Sequence, residues 1–103
     1  MKVQELLNKL GCKKSNRGYF QTIDIIDKIR KNEEILYRKT FNEIYVEVGK
    51  KYQCQVHSII RNIRYLIKQI DKENDLYFEI FKTDENVSCK TFLLEIYLYL
   101  AKK

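Results

Sequence analysis

A chain of 103 residues with 45% hydrophobic and 33% charged residues has the makeup of a soluble globular protein and the length of one domain. The lack of Pro and the presence of only three Gly argue against a turn-rich all-β chain. No apolar run reaches about 18 residues, so no membrane span is expected, and the net charge of +6 favours an anionic partner only weakly.

Lys2 to Leu10 reads as a first helix, because Val3, Leu6, Leu7 and Leu10 form an apolar stripe. The amphipathic start carries Glu5, unlike a secretory signal. Gly11 stands where a left-handed residue ends a helix. Cys12 to Gly18 reads as a loop with Lys13, Lys14 and Arg17, either a solvated connector or a contact to phosphate. Tyr19 to Lys31 reads as a second helix, with Tyr19, Ile23, Ile26 and Ile29 roughly on one side. Asn32 to Tyr37 is a short helix or turn in which Ile35, Leu36 and Tyr37 would plug the core. Thr40, with Glu43 three residues later, matches a capping box. The helix after it would run from Phe41 to about Tyr52 and bury Phe41, Ile44, Tyr45, Val48 and Tyr52. Gly49 inside it costs about 1 kcal/mol relative to Ala. Close approach of the next helix would explain its presence.

Gln53-Cys54-Gln55 is a short polar joint. Beyond it Val56, Ile59, Ile60, Ile63, Ile67 and Ile70 recur at helical spacing, while His57, Arg61, Arg64 and Lys68 fall on a different face. Residues 50–70 hold five Lys/Arg and no acid, so they carry +5, against +3 for residues 1–49 and −2 for residues 71–103. A helix with one buried and one basic face, entered through a tight joint from a preceding helix, is what a helix-turn-helix requires. Asp71 to Asp75 is a polar connector; Leu76, Tyr77, Phe78, Ile80 and Phe81 make a compact apolar element that reads as a short helix; Thr83 to Ser88 is another loop. The last helix, about Lys90 to Lys102, is apolar nearly all round, so burial within the domain or an oligomer interface is expected to cover it.

Cys12, Cys54 and Cys89 form no CxxC pair and the chain has one His, so neither a metal site nor a disulfide framework is expected, and free thiols in a reducing cytoplasm are. There is no Gly-rich phosphate loop, GxSxG elbow or HExxH, so no catalytic residue, enzyme activity or cofactor is expected. For a duplex DNA binder the site would comprise Arg61 and Arg64, three apart on one face and able to fork onto a guanine edge. Gln55, His57 and Ser58 near the helix start would reach bases or phosphates, and Lys50, Lys51 and Lys68 would attract phosphate. The alternative is a protein-interaction module that modulates another regulator.

The stretch IYVEVGKKYQCQVHSIIRNIRYLIKQI, Ile44 to Ile70, resembles the C-terminal DNA-binding effector domain of the sporulation master response regulator of endospore-forming bacteria. It shares the order aliphatic-tyrosine, acidic, aliphatic, small, Lys-Lys, aromatic, polar turn, then a helix with Arg-x-x-Arg. Leu10-Gly11, Gly18-Tyr19 and Phe92 at the start of an apolar last helix also have counterparts. The resemblance implies an all-α bundle of about six helices, with a helix-turn-helix over Phe41–Tyr52 and Val56–Ile70. It implies a cytoplasmic transcription regulator of double-stranded DNA, bound as tandem copies or a homodimer, with RNA polymerase or another regulator as a further partner. By position Arg61 and Arg64 match the family's base- and backbone-contacting arginines. Ser58 stands in place of a family Arg, Ile60 of a Glu, Asn62 of a small apolar residue, and Cys54-Gln55 of a Thr-Thr turn that caps the helix. The family's proteins also carry a phosphoacceptor receiver domain, and residues 1–103 are expected to form one effector-like domain without it.

Overall fold

The computed structural model describes residues 1–82 and 86–102. These residues form seven helices and no strand: α1 (Val3–Lys9), α2 (Arg17–Lys31), α3 (Ile35–Arg38), α4 (Phe41–Tyr52), α5 (Val56–Gln69), α6 (Asp75–Phe81) and α7 (Cys89–Ala101). The radius of gyration, 12.8 Å, is that of a globular chain of this length, about 13 Å.

Helix α2 is the hub. It packs most extensively on α5 and also meets α1, α4 and α7, while α5 meets α4 and α7, and α6 lies on α7. Its Tyr19, Ile25, Ile26 and Ile29 are sealed from solvent, and so are Ile59, Ile63 and Leu66 of α5. Each such side chain contributes about 1.5–3 kcal/mol through burial. The crossing is close because of Gly18: a Cβ there would stand 2.7 Å from the carbonyl carbon of Asn62. Real Cβ atoms do not approach backbone so closely, so α2 and α5 meet in this register only with glycine at 18.

Local signals account for most helix ends. Gly11 has φ 89° after α1. The side chains of Asn16, Thr40, Asn74 and Ser88 accept backbone N–H groups at the starts of α2, α4, α6 and α7. Asn16 moves the start of α2 to Arg17, two residues before the expected one. In α7, Phe92, Leu93, Ile96, Tyr97 and Leu100 are buried against neighbouring helices.

Two expectations need correction. Tyr37 does not plug the core: it is 91% exposed, because the four residues of α3 turn only Ile35 fully inward. Phe78 of the short apolar element faces solvent, since α6 buries Tyr77, Ile80 and Phe81 on one side only. Cover on every side of α7 is also incomplete, as Leu98 remains exposed. The loop expected over Thr83 to Ser88 lies outside the described residues at 83–85.

Candidate nucleic-acid interface

Helices α4 and α5 form the two-helix unit. The joint between them is a left-handed stop: Gln53 has φ 54° and ψ 45°, and its N–H donates to the carbonyl of Gly49. The Cys54 N–H donates to the same oxygen at 2.9 Å. The chain therefore folds straight back over Gly49, where a Cβ would lie 2.5 Å from the Cys54 carbonyl oxygen. Gly49 thus serves a close approach, as expected, but of the turn itself. The crossing of two helices on a glycine surface occurs at Gly18 instead.

Helix α5 begins at the N-cap Gln55, whose side chain makes no capping hydrogen bond. Ile59, Ile63, Leu66 and Ile67 are buried, whereas Ile60 is half-buried. On the outer side His57, Arg61, Arg64 and Lys68 are all exposed. At ~100° per residue these four lie within about 60° of arc. The helix therefore presents a narrow basic ridge with no acid on it. Tyr65 stands beside the ridge, exposed, with the Lys68 ammonium 5.7 Å from its ring centroid. Arg64 lies near the start of α7: burial raises the Cys89 thiol pKa, opposed in part by the Tyr45 hydrogen bond and then by the Arg64 charge.

The other expected site residues are not equivalent. Ser58 is half-buried and faces a cleft beside α5. Lys50 and Gln55 border a shallow hollow on the turn with Val46, Gly49, Gln53, Cys54 and Val56. Lys51 is engaged within the protein: its ammonium lies 2.9 Å from the Asp24 carboxylate of α2. Tyr52 donates to the same carboxylate oxygen. Burial, and then this bond, raise the Tyr52 pKa and keep its proton in place. Asn62 is turned away from the ridge and donates to Gln21 of α2 at 3.2 Å.

Sequence reasoning missed Tyr65 and the Asn62–Gln21 pair. Tyr65 follows Arg61 by four residues and precedes Lys68 by three, a spacing that places it alongside both. Nothing in the sequence foretells the Asn62–Gln21 bond, which joins residues 41 positions apart.

Among the described residues no group of three His, Cys, Asp or Glu is placed to hold a metal ion. Cys12, Cys54 and Cys89 are free thiols, and burial pushes the Cys12 pKa up to about 12. No helix of the described residues is long and apolar enough to cross a membrane.

The family model for the sporulation initiation factor Spo0A C terminal matches residues 3–91, which take in α1 to α6 and the first turn of α7. No curated protein and no solved structure matches the chain.

Proposed function

Because the chain belongs to the Spo0A C-terminal family, a family of DNA-binding effector domains of sporulation regulators, we propose that it binds double-stranded DNA sequence-selectively through α5. The observation that carries this reading is the ridge of His57, Arg61, Arg64 and Lys68, exposed on a helix whose opposite face is buried. A major groove is wide enough to take such a helix. Arg61 and Arg64 are the base-reading residues, each able to fork onto a guanine for about 1–3 kcal/mol of discrimination. Lys68 and Lys50 attract phosphate, and Gln55 and His57 reach the duplex near the helix start. Lys51 contributes less than Lys50, because Asp24 already balances its charge. Such a protein acts in the cytoplasm, on tandem sites or as a homodimer, with RNA polymerase or another regulator as a further partner.

Fluorescence anisotropy with the family's usual box and with pooled random duplexes, at two salt concentrations, tests the reading. Four or five engaged charges predict a slope of log K against log salt near about −4. Arg64→Ala should weaken binding and relax preference at one base position. Lys50→Ala should weaken all sequences alike. Equal losses on specific and random DNA for both variants would sink these roles, and no binding at low salt would sink the function.

A second reading, a protein-interaction module, is favoured by Phe78 and Leu98, exposed on α6 and α7, two helices that pack together. It predicts that Leu98→Glu abolishes capture of a partner regulator and leaves DNA affinity intact.

A further inference from the structure

Beside the basic ridge, between the loop that opens α2 and the flank of α5, lies a cleft of about 420 Å³. Lys14 and Arg17 line it from the α2 side, and Ser58 and Arg61 from the α5 side. Arg17 and Arg61 also line an adjoining hollow with Asn62 and Tyr65. No Asp or Glu borders either space.

Four cations elsewhere on the surface have an acidic partner among the described residues. In the hollow between α2 and α4, Lys28 and Lys51 pair with Glu47 and Asp24. Lys39 also pairs with Glu47, and Arg38 with Glu34. Among the described residues, Lys14, Arg17 and Arg61 have no ion-pair partner. The Gly18 crossing holds the start of α2 against the Asn62 backbone, so the next-door Arg17 cannot drift from Arg61's side of the molecule. Like charges gathered without a counter-charge raise the energy of the free protein, and an anion between them removes that repulsion.

We propose that this cleft seats a backbone phosphate of the duplex beside α5, with Lys14 and Arg17 as its ligands and Arg61 as the shared wall. The proposal rests on the reading of α5 as the recognition helix. A polyanion suits the cleft better than a free anion, because Ser58 and Arg61 belong both to the cleft and to the helix that would lie in the groove. Duplex laid along α5 must pass the mouth of the cleft. The helix end is not the attraction: Asn16 Oδ1 already takes the Gly18 N–H at 2.7 Å, so the side-chain cations supply the charge. Held there, the phosphate fixes the register of α5 and orients Arg61 without reading sequence.

The test is a salt titration of anisotropy for the full chain, Lys14→Gln, Arg17→Gln and the double variant, with circular dichroism to check folding. Lys31→Gln is the control; it removes the same charge about 21 Å further along α2. Each cleft variant should weaken binding several-fold for every duplex alike and lower the salt slope by about 1, and the double variant by about 2. Relative preference among boxes should stay as in the wild type, and Lys31→Gln should keep the wild-type slope. A double variant that binds with the wild-type slope overturns the cleft and leaves α5's role standing. A wild type that binds no duplex at low salt overturns both. Competition by a mononucleotide as effective as duplex, at equal phosphate concentration, identifies a small-anion site and overturns the duplex assignment.

Discussion

Gln53 is a left-handed residue in a place that glycine fills most easily. An L side chain there costs about 1–2 kcal/mol, part of which glycine loses again through its greater freedom in the unfolded chain. Gln53→Gly should therefore raise stability by up to about 1 kcal/mol, read as a higher urea midpoint. Gly49→Ala should do the opposite, although alanine is the better helix former. Its Cβ would collide with the Cys54 carbonyl oxygen, and overpacking of that kind costs about 1–3 kcal/mol. An unchanged midpoint for Gly49→Ala would show that the turn can move aside. Both residues could be singled out in the sequence, as a joint and as a flaw in a helix. The reason for the flaw could not, because it depends on where the chain goes after Gln53.

Helix α5 is held by its buried face, and its start is poorly capped. Four other helices begin with a side-chain cap, whereas the Gln55 side chain makes none and the Ser58 N–H has only the Gln55 carbonyl, at 3.0 Å. Its extended backbone, φ −86° and ψ 163°, already suits a cap. Gln55→Ser should accordingly stabilise the protein by about 1 kcal/mol. Hydrogen exchange should show stronger protection at His57 and Ser58; unchanged exchange at both would mean that packing alone sets the order of this turn. The missing cap was legible in the sequence, as was the apolar stripe of α5, because both follow from neighbouring residues. Leu66 escaped the stripe, although the structure seals it completely.

The helices are also tied together by charge. Glu47 of α4 pairs with Lys28 of α2 at 3.2 Å and with Lys39 ahead of α4. Hydrogen bonds from Lys39 and then Lys28 hold its carboxyl below the usual carboxylate range, outweighing a smaller upward effect of burial. The unfolded chain lacks these partners, so its Glu47 binds a proton at higher pH than the folded protein does. The contribution is present above the unfolded pKa of about 4.3 and is lost as pH falls through the lower folded value. Glu47→Gln should thus destabilise modestly at pH 7, since solvent screens these partly exposed pairs, and the difference from wild type should shrink towards pH 3. Urea melts at the two pH values check this. A difference that persists unchanged at low pH would assign the effect to packing.

Periodicity, capping residues and the run of five cations without an acid are properties of short stretches of chain. The helices, the helix-turn-helix and the basic face of α5 were accordingly readable before any coordinates. Tertiary packing settled everything that joins distant residues. It put Gly18 against Asn62, paired Asn62 with Gln21, set Asp24 against Lys51 and gathered Lys14 and Arg17 beside Arg61. It also left Tyr37 and Phe78 in solvent, because a short helix turns only one side to the core. The physical reason is common to all of these. Local structure depends on backbone geometry and on neighbours within a few residues, whereas the partners of a side chain depend on which surfaces the buried faces bring together.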